Sequence, residues 1–131
     1  MMNTTETMSK TTAEKIAAIL ADLPRLDQRV TVYVPATVGT DNPADSAAVV
    51  DAVAAALSTW FGGATIQPGA GCWMSDSCGL VKESTTTVYA ACTAEQLAAR
   101  LPDVRKLCEN LKAEMQQEAV SLAVNNTLYF L

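Results

Sequence analysis

Between Gly62 and Cys92 the chain reads GGATIQPGAGCWMSDSCGLVKESTTTVYAAC, and this stretch limits the fold more than any other. Its glycines and Pro68 disfavour a long helix. Leu80 to Cys92 is rich in β-branched residues, which fit a pleated, half-buried surface. The spacing predicts a short strand over 64–67, a break at Pro68-Gly69, a resumption over 71–74 and a turn-rich tip over 75–79. A long strand, Leu80 to Cys92, then returns antiparallel. Strand alternation puts Thr86, Val88 and Ala90 on the buried face, and Glu83, Thr85, Thr87 and Tyr89 on the other.

The segments around this hairpin supply the remaining elements. Arg29 to Ala36 alternates, with Val30, Val32 and Val34 on one face and Thr31 and Tyr33 on the other. Asn42-Pro43 reads as a helix cap with proline in the first turn. Asp45 and Asp51 suit the positive end of that helix. Val49, Val50, Val53, Leu57, Trp60 and Phe61 form its stripe, and Gly62-Gly63 its stop. Thr93 and Gln96 form a capping box for the next helix. Pro102 is expected to break or kink that helix. Val104, Leu107, Cys108, Leu111 and Met115 share its apolar face. Val120, Leu122 and Val124 alternate, Asn125-Asn126 fits a hairpin turn, and Leu128 to Leu131 returns. At the other end, residues 1–10 read as a disordered tail. A short amphipathic helix follows over about 12–23, with Ile16, Ile19, Leu20 and Leu23 on one side. The order predicts an α+β fold: one ferredoxin-like domain over 11–131, β-α-β-β-α-β, with an N-terminal helix and a C-terminal hairpin extension.

Charge and composition exclude several functions. With 131 residues and 50% hydrophobic content, one domain with a real core is expected. The net charge of −5 argues against nucleic acid as a partner. No apolar run is long enough for a membrane span, and the N-terminus lacks the order of a signal peptide. A cytoplasmic protein with reduced thiols is the expectation. The chain has no histidine. That removes Ser-His and Cys-His pairs and the commonest metal ligand, leaving carboxylate, thiol, lysine and tyrosine for any chemistry.

Glu83 is the leading candidate carboxylate, because glutamate is disfavoured in mid-strand. Glu118, between the last helix and the last strands, could approach the same end of the sheet. Two close carboxylates can act as an acid/base pair. Pairing with surface cations is the plainer use of both. Tyr33, Trp73, Glu83, Thr85, Thr87 and Tyr89 are the expected ligand or interface residues, with Thr31 and Ser121 on the same outward face. A solvated sheet, a wet homodimer interface and a shallow small-molecule floor all fit that composition. Cys72 and Cys78 are spaced poorly for zinc, so no metal and no cofactor is expected. A thiol-redox pair across the hairpin tip is a further alternative.

Taken together, VTVYVPAT, FGGAT, GCW, LVKE, QQEAV and NNTLYF resemble a family of short, uncharacterised bacterial proteins from Gram-positive gut bacteria and their mobile elements. The resemblance implies a fold and a cytosolic setting, and carries no activity. The leading expectation is a non-enzymatic binding or assembly module that dimerises through its sheet face or N-terminal helix. The alternative is an isomerase or lyase using Glu83, with Tyr33 or Tyr89 positioning substrate.

Overall fold

The computed structural model describes residues 4–38, 42–43 and 46–131. The elements are α1 (Thr4–Leu20), β1 (Gln28–Pro35), β2 (Thr37–Val38), β3 (Asn42–Pro43), α2 (Ser46–Phe61), β4 (Thr65–Ser75), β5 (Gly79–Cys92), α3 (Ala94–Glu114), β6 (Ser121–Val124) and β7 (Thr127–Phe130). The fold is α+β. Its main sheet has five strands in the order β4-β5-β1-β6-β7, and every pairing is antiparallel.

β1 is central because its alternation is unbroken: Val30, Val32 and Val34 are at most 1% exposed. They lie opposite Ala90, Val88 and Thr86 of β5, and Val30 and Val32 also lie opposite Val124 and Leu122 of β6. α2 and α3 cover this face with Val53, Leu57, Phe61, Leu97, Val104, Cys108 and Leu111, giving one core. Met115 and Val120 close its end.

Local signals placed α3 and the C-terminal hairpin well. Thr93 and Gln96 form the expected reciprocal capping box. Asn125 takes up a left-handed φ of 54° in the β6–β7 turn. Its side-chain oxygen accepts from the Arg29 N–H at 2.9 Å, and its own N–H donates to the Arg29 carbonyl at 2.8 Å. The turn is thereby tied to the start of β1.

Four expectations are corrected. β4 is one continuous strand through Pro68 and Gly69, because β4 is an edge strand and a proline there need not cost a ladder bond. α3 runs unbroken across Pro102; packing of Val104, Cys108 and Leu111 outweighs one lost hydrogen bond. α2 starts at Ser46, since Asn42-Pro43 pairs with Thr37-Val38 instead of capping the helix. Asp45 lies outside the described residues, and Asp51 is past the first turn. α1 runs Thr4–Leu20 instead of about 12–23, so the described part of the expected tail is helical. Residues 1–3 are outside the described set.

α3 ends in a Schellman motif: Gln117 N–H donates to the Lys112 carbonyl at 3.0 Å, and Gln116 N–H to Ala113 at 3.2 Å. The left-handed position is Gln116, with φ 51°. Glycine is the usual residue there, because a β-carbon costs about 1–2 kcal/mol in that region. Glycine gives back part of the gain as chain entropy. Gln116→Gly is therefore expected to stabilise by about 0.5–1 kcal/mol, raising Tm by a few degrees in thermal unfolding. Leu57→Ala, in the fully buried core, should cost about 2–5 kcal/mol in the same measurement.

Candidate functional site

The β4–β5 hairpin is longer than the sheet that carries it. β1 pairs with β5 only from Thr85 to Cys92, whereas β4 follows β5 out to the Ser75–Gly79 pair. Residues 70–84 therefore project as a two-stranded arm, closed by a three-residue turn with Gly79 at φ 73°. Ser75 Oγ accepts from the Ser77 and Cys78 N–H groups, each at 3.2 Å, and fixes that turn.

Strand parity decides what each face of the arm carries. On the face away from the helices, Tyr33 lies opposite Thr87, Thr31 opposite Tyr89, Gly69 opposite Thr85, Gly71 opposite Glu83 and Trp73 opposite Val81. The structure thus puts Tyr33, Trp73, Glu83, Thr85, Thr87 and Tyr89 on one continuous surface. Lys82 is on the reverse side, opposite Cys72.

Two consecutive outward positions of β4 are glycine, and both lie beside the arm's polar residues. Glu83 and Thr85 consequently have bare backbone as their cross-strand neighbours. A β-carbon added at Gly69 would meet nothing within 4 Å, and at Gly71 only the Glu83 carbonyl oxygen at 3.9 Å. The chain's own packing does not demand glycine there. The result is a notch with Glu83 on one side, Trp73 at the outer end and Gln67 at the inner end. Trp73 is 52% exposed, so its ring is available to another molecule. Within a single chain the notch is open: Glu83 is exposed and makes no ion pair among the described residues.

At the inner end, the Arg29 guanidinium sits 4.2 Å from the Tyr89 ring centroid. Sequence reasoning passed over this cation–π pair, although Arg29 shares the parity of Thr31 and Tyr33. Thr87 Oγ1 donates to the Gln67 carbonyl at 3.3 Å.

Glu83 and Glu118 are not close neighbours along the sheet. β5 and β6 flank β1, so two strand spacings of about 4.8 Å each separate their backbones, and Glu118 precedes β6 by three residues. The cysteines are likewise dispersed. Cys72 lies three ladder positions from the Ser75–Gly79 pair, about 10 Å along the strand, while Cys78 is in the turn. No group of three metal-binding side chains exists among the described residues.

Cys92 and Cys108 are buried core residues. Burial, and then the charge of Glu109, pushes the Cys108 thiol up to about 11. Burial, and then Asp27, raises Cys92. Both stay protonated at neutral pH, and only thiolate reacts. Titration with a thiol reagent at pH 8 should therefore show two fast thiols, Cys72 and Cys78, with all four reacting in denaturant. Three or more fast thiols in the native protein would contradict this placement.

No protein-family profile matches the chain, and no curated protein matches it. Solved structures do. The chain is similar to a phage SAM lyase in complex with S-methyl-5′-thioadenosine, at 18% identity and a TM-score of 0.59, over 83% of this chain and 94% of that one. The apo form of a phage SAM lyase matches at 16% identity and a TM-score of 0.56, with the same coverage. CutA from Synechococcus elongatus matches at 18% identity and a TM-score of 0.45, over 81% of each chain. The lyase similarities show a shared fold.

Proposed function

We propose that this chain is a small-molecule lyase that cleaves a sulfonium substrate of the S-adenosylmethionine type. It acts as a homo-oligomer, on a ferredoxin-like β-α-β-β-α-β scaffold. The observation that carries the reading is the notch: Glu83 beside the bare backbone of Gly69 and Gly71, with the Trp73 ring at its end. A sulfonium is a cation, and a carboxylate with an aromatic face is a natural receptor for one. The fold shared with a phage SAM lyase, which was solved with S-methyl-5′-thioadenosine, supports the substrate class.

The chemistry also suits a chain without histidine. When the bond from sulfur to the aminobutyryl carbon breaks, the electron pair stays on sulfur and a neutral thioether leaves. No general acid is needed for that departure. Glu83 can take the proton from the adjacent carbon, giving an elimination. Otherwise the substrate's own carboxylate displaces the thioether, and Glu83 holds the cation. Both routes release S-methyl-5′-thioadenosine; the first leaves an unsaturated amino acid and the second a lactone.

Self-association follows from the arm. β4 is an 11-residue edge strand whose one device against pairing is Pro68; it has none of the charged residues that edges normally carry. Met74 and Leu80, on the reverse side of the arm, are 71% and 56% exposed. A second copy paired along the β4 edge would flank the notch beside Glu83 on one face and cover Met74 and Leu80 on the other. The setting we infer is cytosolic, where the exposed thiols stay reduced.

A non-enzymatic assembly module is the second reading, favoured by the openness of Glu83 in the single chain. One experiment separates the two. The protein is incubated with S-adenosylmethionine, and S-methyl-5′-thioadenosine is followed by chromatography. Steady release is expected, reduced about 100-fold or more in Glu83→Gln. Gly71→Leu should abolish release while leaving the unfolding temperature unchanged. If no thioether forms and calorimetry detects no binding of S-adenosylmethionine at millimolar concentration, the lyase reading fails and the assembly module stands.

A further inference from the structure

Two apolar surfaces away from the arm, one face of α1 and a groove on the helix side of the sheet, also lack a partner. α1 carries Ile16, Ile19 and Leu20 at helical spacing, followed by Leu23 in the turn beyond. All four are more than half exposed, and every residue from 11 to 27 is exposed. A lone 17-residue helix is marginal in water unless an apolar face is docked.

The same chain holds a groove that fits a helix. It encloses about 550 Å³ between α3 and β7. Leu101, Arg105, Glu109 and Lys112 form one wall, and Leu122 and Val124 the floor. Tyr129, which is opposite Leu122 in the ladder and 52% exposed, belongs to the far wall. The α3 wall residues fall at steps of four, four and three, so they share one helix face and run about 16 Å along the axis. The groove has a simple origin. Packed helices lie about 8–10 Å apart and strands about 4.8 Å apart, so each helix covers about two strands. α2 and α3 therefore leave the fifth strand, β7, without cover. The vacant place is one helix wide.

We propose that α1 of a second copy of this chain lies in the α3–β7 groove, and that the contact is exchanged reciprocally in a two-fold dimer. Charge favours the fit. In the groove wall Arg105 is paired with Glu109 at 3.0 Å, which leaves Lys112 as the wall's cation without an ion pair among the described residues. Residues 11–23, the last three turns of α1 and the turn beyond it, match the groove in length and carry Glu14 and Asp22 against one lysine, Lys15. A second copy is the occupant because α1 stands off its own domain. Two-fold exchange gives each protomer a partner for both its helix and its groove, and it closes without polymerising. The inference does not rest on the lyase reading, because it uses the other side of the sheet.

Sedimentation velocity of the full chain across micromolar concentrations tests it. The wild type should show a concentration-dependent monomer–dimer step. Ile16→Asp/Ile19→Asp should remove the step, and Tyr129→Asp should remove the same step. An equimolar mixture of those two variants should recover part of it, because one keeps the groove and the other keeps the helix. Each variant is compared with a Trp73→Asp parent, so that association through the arm supplies no step of its own; that parent should itself keep the step. Ile16→Ala/Ile19→Ala repeats the helix test without introducing charge, and circular dichroism confirms that each variant is folded. The inference is overturned if the wild type shows no such step, which would leave α1 on its own chain, on another protein or in water. It is equally overturned if the step survives either variant, or if the mixture recovers nothing.

Discussion

The whole structure depends on one row of contacts: the valines of β1 set between β5 and β6. Val30, Val32 and Val34 are essentially without solvent contact. Strand side chains alternate strictly, so this burial fixes the direction of every other side chain in the sheet. A slip of one residue would bring Thr31 and Tyr33 into the core and expose the valines. The same parity carries through the ladder to β5 and then to β4. The position of Glu83, well outside the core, is thus set by valines at the centre of the domain. The Asn125 turn reinforces the register by bonding to both backbone groups of Arg29.

The molecule divides into a body and an arm that are held together differently. The body is a five-stranded sheet under two helices, with its stability in buried aliphatic contacts. The arm has only its own cross-strand ladder beyond Thr85. Most side chains from Thr65 to Ser84 are exposed, so little burial opposes local opening there. A face without burial can carry residues that a core would reject. Glutamate in mid-strand, adjacent outward glycines and an exposed tryptophan all occur on this part of the chain.

Much of this was legible in the sequence wherever the deciding physics is local. The alternation of 30–34, the capping box at Thr93 and the Asn125 turn each depend on neighbours a few residues away. The outward row Glu83, Thr85, Thr87 and Tyr89 followed from counting in twos. What was not legible depends on position in the sheet. Pro68 reads as a break until β4 is known to be an edge. Asn42-Pro43 reads as a cap until Thr37-Val38 is seen beside it. The notch was not legible because Pro68-Gly69 reads in one dimension as a break between two short strands. Only the register shows that Gly69 and Gly71 both face outward beside Glu83. The groove beside β7 is a matter of how many strands two helices can cover, which no local pattern encodes.

The projection of the arm has an evolutionary consequence. Residues 70–84 contribute no side chain to the buried core. Replacements there change what the surface presents while leaving the body's packing as it was. Selection on the arm and selection on the valine-centred body can therefore proceed separately. Related chains could keep the scaffold almost unchanged while the arm drifts to different ligands.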